Sequence, residues 1–143
     1  MTLGSEDRRR QFAALPWRRG DAGVEYLLVT SRETRRWIIP KGWPMRDKTG
    51  QGAALQEAWE ESGATGVIDD QPLGVFSYRK RLASGRDQVC LVRVHALEVQ
   101  DLADSWPEQH ERERRWMSAQ EAIRAVDEPE LKILMAVFAA QTD

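Results

Sequence analysis

The sequence holds one cysteine and two histidines in 143 residues, and no apolar run approaches the length needed to span a bilayer. A single thiol, Cys90, excludes an internal disulfide; in the apolar run VCLVRV it reads as a buried strand residue of a reducing compartment, not a nucleophile. The polar opening MTLGSEDRRR lacks the apolar stretch of a signal peptide, so the expectation is a cytoplasmic protein without a membrane segment, residues 1–8 forming a flexible N-terminus. A strong excess of one charge is also missing. The net charge of -2 gives no reason to expect nucleic-acid binding. Repeats and low-complexity segments are absent. With 41% hydrophobic and 31% charged residues, the composition is that of a globular protein, and the length suits one domain over residues 1–143.

The apolar segments QFAALPWR and VEYLLVTS, parted by RGDAG, read as an antiparallel hairpin. RRWIIPKG is a third short strand, stopped by Pro40 and Gly42. From about Gln51 to Ser62 the spacing turns helical, with Ala54, Leu55, Ala58 and Trp59 on one side and Gly63 as the C-terminal stop. LGVFSYRKRL and DQVCLVRVHALEV, joined by ASGRD, read as a second hairpin. The polar stretch QDLADSWPEQHERER leads to a short strand, RRWMS. Ser118 and Glu121 then form a capping box before the helix AQEAIRAV, and Asp127 with Glu130 repeats that signal before LKILMAVFAAQ. Leu131, Leu134, Met135 and Phe138 share one face of this last helix, which suits packing on a sheet. Hairpins outnumber crossovers, so the order implies a mixed sheet with helices on its faces.

Chemistry concentrates in one stretch, PKGWPMRDKTGQGAALQEAWEESGATG. Glu57, Glu60 and Glu61 lie three and four apart at the end of a helix, so their carboxylates form one patch. Each like-charge pair costs about 0.2–0.5 kcal/mol, and acidic groups at the negative end of the helix dipole roughly another 0.3–1 kcal/mol each. No basic residue lies among positions 51–62 to offset them. A solvated acidic face is the plain reading, and a bound divalent cation is the functional one. Three carboxylates without histidine or thiolate favour magnesium or manganese over zinc. Just before the helix, Lys41 and Gly42 supply an ammonium and a close backbone approach, both suited to phosphate.

This stretch resembles the Nudix box, G-x5-E-x7-R-E-U-x-E-E-x-G-U with U aliphatic. Counted from Gly42, the chain supplies Glu57, Ala58, Glu60, Glu61, Gly63 and Ala64 in register, and departs where Lys48 replaces the first glutamate and Gln56 the arginine. LLVTSRETRRWIIPKGWP, EAWEESGATG and RRWMSAQEAIRAVDEPEL extend the likeness to nearly the whole chain. They are similar to the branch of the superfamily related to diphosphoinositol polyphosphate phosphohydrolases, in its bacterial form.

The resemblance implies an α/β/α sandwich with a mixed sheet. It further implies magnesium- or manganese-dependent hydrolysis of a small phosphorylated substrate, a nucleoside diphosphate linked to X or a related anhydride such as a dinucleoside polyphosphate or diphosphoinositol polyphosphate. Carried over by position, Glu57, Glu60 and Glu61 would be catalytic carboxylates and metal ligands, with the carbonyl of Gly42 a further ligand. Arg10, Ser31, Arg32, Lys41 and Arg112 would bind the substrate phosphates. Glu108, Glu111, Glu113 and His110 are candidates for a general base beside the box glutamates. The uncharged Gln56 would hold Glu57 less firmly than an arginine, which opens the alternative of a weakened domain that senses a phosphorylated ligand without cleaving it.

Overall fold

In the computed structural model, residues 9–142 are described; the expectation for residues 1–8 lies outside them. Eight strands form one mixed sheet: β1 (Arg10–Gly20), β2 (Gly23–Thr30), β3 (Trp37–Ile38), β4 (Lys41–Gly42), β5 (Ala64–Ile68), β6 (Gly74–Arg81), β7 (Asp87–Leu102) and β8 (Arg114–Ser118). Three helices complete the fold: α1 (Gly50–Ser62), α2 (Ala119–Ala125) and α3 (Pro129–Thr142). The central path runs β3-β2-β1-β7-β5, with β4 also paired to β1, β6 to β7 and β8 to β2. The β1–β7 pair is parallel and every other pair antiparallel.

Two apolar layers flank the sheet. On one face Leu15, Tyr26, Leu28, Phe76 and Val92 pack against Leu131 and Met135 of α3 and Ala122 of α2. On the other, Ala14, Leu27 and Leu97 receive Ala54 and Ala58 of α1. Small residues on that helix let it lie close to the sheet, and the α/β/α sandwich follows. Tyr26 ends its span of the core by donating its hydroxyl to the Met135 carbonyl at 2.7 Å. Cys90 is free and buried. Among the described residues, no helix is long and apolar enough to cross a membrane.

Both hairpins, β8 and the face of α3 fall where the patterns place them. Thr49 caps α1, its side chain accepting from the Gly52 N–H, and Gly63 ends the helix at φ 74°, a left-handed conformation that favours glycine. The Ser118–Glu121 capping box is formed in full. Asp127 and Glu130 serve otherwise. Asp127 pairs with Arg36, and Glu130 accepts from the N–H and hydroxyl of Ser77 on the edge strand β6. Two short strands exceed what the patterns show. β5 leaves directly from the α1 cap and pairs with β7 across a bulge, and β4 continues past the proline that ends β3.

That second break builds the site. β1 and β2 pair only from Trp17↔Tyr26 to Gly20↔Gly23, and beyond this they part. β3 stays on β2 through Val29↔Ile38, while β4 crosses to β1 through Phe12↔Gly42. Pro40, which cannot donate to a ladder, sits between the two, and its carbonyl accepts from the Ala14 N–H at 3.1 Å. Lys41 and Gly42 are thereby wedged into the opening of the sheet.

Candidate active site

Helix α1 brings the acidic residues to this opening, and its last carbonyls are met by donors from the β7–β8 connection and the first residue of β8. The Glu108 N–H donates to the Glu60 carbonyl at 3.0 Å, Trp106 Nε1 to that of Glu61 at 3.0 Å and Arg114 Nη1 to that of Ser62 at 2.9 Å. The Arg114 guanidinium also lies 3.8 Å from the Trp106 ring centroid and donates to the Ala103 carbonyl at 2.6 Å. Within the helix nothing offsets the acidic end. Across the fold, Arg112 and Arg114 bring positive charge to it.

Beside this end lies a cavity of about 700 Å³, bordered by Glu57, Glu61, Lys41, Gly42 and Arg112. The approach of helix to strand is close: a Cβ on Gly42 would fall inside the Glu57 carboxyl group. Glu61 is only 3% exposed, and its Oε1 has no hydrogen-bond partner. The Arg112 guanidinium is 3.8 Å away, but its Nε donates to Glu108 at 2.8 Å and its Nη1 to the Thr30 carbonyl at 3.0 Å. Burial pushes the Glu61 carboxyl well above the ordinary carboxylate range; Arg112 and Lys41 oppose this and the facing Glu57 carboxyl adds to it. Glu57 is raised too, again by burial first. Burial lowers the Lys41 ammonium, whose Nζ sits 4.8 Å from the Tyr78 ring centroid.

A buried carboxylate oxygen that faces a cation-lined cavity without a hydrogen bond is a ligand atom in want of a partner. Among the described residues no three carboxylate, imidazole or thiolate side chains gather closely enough to hold a metal by themselves. Magnesium does not need such a cage, since it commonly takes one or two carboxylates and completes its shell with water and substrate phosphate. Glu57, Glu61 and the backbone of Gly42 fit that habit.

Of the residues singled out in the sequence, Gly42, Glu57, Glu61, Ser31, Arg32, Lys41 and Arg112 border the cavity. Glu60 and Arg10 do not. Glu60 accepts a 2.6 Å hydrogen bond from Gln56 Nε2, so the residue at the box arginine position holds Glu60 and not Glu57. Arg10 is exposed at the start of β1, in register with Leu91. Ser31 bonds Thr34, its hydroxyl 2.7 Å from Oγ1, and Arg32 reaches Glu111 at 3.3 Å. Among the four loop candidates for a base, Glu108 alone borders the cavity; Glu111 and Glu113 face Arg32 and Arg35, and His110 is exposed. Sequence reasoning missed Arg36, Tyr78 and the cations Arg79, Lys80 and Arg81. The run RKR in an otherwise apolar strand was the available signal.

A model of the NUDIX domain matches residues 7–138. The chain belongs to the Nudix family. Among curated proteins, it is 36% identical over 105 residues to the mitochondrial Nudix hydrolase 13 of Arabidopsis thaliana, covering 70% of this chain and 52% of the relative. It is 28% identical over 127 residues to human diphosphoinositol polyphosphate phosphohydrolase 3-beta, covering 87% and 73%. The Nudix chain spans about half the length of the first plant relatives it matches. Among solved structures, that of the C. elegans Ap4A hydrolase superposes with a TM-score of 0.67 at 21% identity, covering 94% of this chain and 98% of that one, which is a likeness of fold.

Proposed function

We propose that this Nudix chain acts as a hydrolase of a phosphoanhydride, with magnesium or manganese held by Glu57, Glu61 and the Gly42 carbonyl. The observation that carries the reading is the half-buried Glu57 beside the buried Glu61, whose Oε1 has no hydrogen-bond partner, opening on a cavity bordered by cations. When bound, the cation neutralises phosphate oxygens and makes a water more acidic. Lys41 and Arg32, which border the cavity, bind and orient the phosphates in this reading, and Arg112 keeps the Thr30 carbonyl and Glu108 in place beside them. Water attacks phosphorus and the anhydride P–O bond breaks, its electron pair leaving on the departing phosphate. Glu57 or Glu108 accepts the proton of that water; both border the cavity. Glu60 would join the ligands only on giving up its bond to Gln56.

The substrates in view are dinucleoside polyphosphates and diphosphoinositol polyphosphates, the classes that the names of the human and nematode relatives carry. Phosphate release from both classes, ADP-ribose and phosphoribosyl pyrophosphate, with magnesium or manganese, tests the reading. Turnover of at least one supports it. Binding without turnover in any case replaces it with the second reading, a ligand sensor, which the neutral Gln56–Glu60 bond in place of a charged hold on Glu57 favours.

A further inference from the structure

The two faces of the sheet are covered unequally. Both α2 and α3 lie over the face of Leu15 and Phe76, while α1 lies over the other. Helix α1 begins on Phe12, whose ring a Cβ on Gly50 would meet at 2.5 Å. In register beside Phe12 come Arg93 of β7 and then Val75 of β6. The next rung on the same face holds Arg10, Leu91 and Ser77, and the one after it Val89 and Arg79. Val75, Leu91 and Val89 are 51%, 49% and 38% exposed.

Single exposed apolar side chains are ordinary, but three that adjoin on one sheet face mark a surface that binds. Their surroundings carry charge of one sign. Among the described residues Arg10 and Arg93 have no carboxylate partner, and the Arg93 guanidinium lies 5.7 Å from the Phe12 ring centroid. The acidic side chain that shares these strand positions, Asp87, is paired with Arg81. Arg10, which does not border the substrate cavity, belongs to this face.

Shape and sign decide what fits. Strands lie about 4.8 Å apart, so β6, β7 and the start of β1 make a strip roughly 10 Å wide, the diameter of one helix. The outer edge of β6 is closed to an added strand at Ser77, whose N–H donates to Glu130. A second copy set here by a two-fold axis would bring the same arginines against these. A single-stranded nucleic acid would find Phe12, the aromatic ring of this face, already under α1.

We infer that this face docks an amphipathic helix of a partner protein, with apolar residues at i, i+4 and i+7 and acidic residues on either flank. The helix lies beside α1 and completes its layer. Its apolar stripe rests on Val75, Val89 and Leu91, and its carboxylates meet Arg10 and Arg93.

The probe is a lactam-bridged, dye-labelled peptide of about 14 residues, roughly four turns, with leucine at i, i+4 and i+7 and glutamate on both flanks. It is titrated by fluorescence anisotropy beside a counterpart in which lysine replaces each glutamate. The parent binds the acidic peptide about tenfold tighter than the basic one. Arg10→Gln/Arg93→Gln removes that preference, and Leu91→Ser, a change at an exposed position, weakens the acidic peptide about fivefold. Ile133→Ser, which removes an exposed apolar side chain of α3, leaves both affinities as in the parent. No binding by the parent, equal binding of the two peptides, or full affinity in Leu91→Ser overturns the proposal. Tighter binding of phosphatidylserine vesicles or of a single-stranded oligonucleotide, lost in the same variants, overturns it as well, and so does a dimer that Leu91→Ser disperses, because the occupant is then a different one.

Discussion

Replacing Glu61 by glutamine should make the metal-free protein more stable and leave it unable to hold its cation. Glu61 is 3% exposed, its Oε1 is unpartnered, and the Arg112 guanidinium at 3.8 Å is engaged with Thr30 and Glu108. An unsatisfied buried acceptor costs about 1–3 kcal/mol, and an amide that donates to Glu57 recovers part of it. The pH dependence has a definite sign. Burial raises the Glu61 carboxyl above its unfolded value, so the folded chain keeps a proton that the unfolded chain releases. Stability from this group is therefore present below the ordinary carboxylate range and is lost as pH rises toward the raised value. The variant has no such loss. At pH 8 without metal, Glu61→Gln should gain about 1–2 kcal/mol, an increase in melting temperature of roughly 3–6 °C, and at pH 4 almost nothing. Adding magnesium should then stabilise the parent and not the variant. Urea and thermal unfolding at the two pH values, with and without magnesium, check this. A variant no more stable than the parent at pH 8, or equally improved at pH 4, refutes the reasoning.

Three further outcomes follow from the geometry. Tyr78 anchors Lys41 under its ring and is itself held by a 2.7 Å bond from its hydroxyl to Gln11, so Tyr78→Leu should raise KM about fivefold with little change in kcat. Tyr78→Phe, which keeps the ring, should stay within about twofold, and equal effects of the two would exclude the anchoring role. Gln56→Arg restores the charge that the family resemblance sets beside Glu57 and should raise kcat by up to about tenfold, and steady-state rates that fall would show that the arginine instead tightens the hold on Glu60. Arg114→Met removes donors to the Ser62 and Ala103 carbonyls and should cost about 2–3 kcal/mol in urea unfolding; a loss below about 0.5 kcal/mol would mean that the α1 cap does not depend on it.

Helix α1 was legible almost to the residue because Gly63 and the small residues before it decide its end and its packing face locally, while the Thr49 cap at its start was not read. The β8–α2 junction was legible for the same reason, through Ser118 and Glu121. β4 was not, since Lys41 and Gly42 are a strand only because β1 and β2 part and leave Phe12 and Ala13 to be paired. β5, five residues with a glycine and a bulge, carries too little pattern of its own. The acidic cluster could be read as an unbalanced charge, but Arg112 reaches it from a segment that looks, in sequence, like a solvated loop, and Arg114 from the start of the strand that follows. Glu60 shares the helical spacing of Glu57 and Glu61, yet a single hydrogen bond to Gln56 keeps it from the cavity lining. Spacing sets a face, and side-chain partners decide which members of the face meet.

The most direct test of the account is hydrolysis of the best anhydride substrate, followed against magnesium concentration, in the parent, Glu57→Gln and Glu61→Gln. The account predicts cation-dependent turnover in the parent and a fall of about 100-fold or more in both folded variants. Turnover by the parent in EDTA, or by either variant at the parental rate, would contradict it.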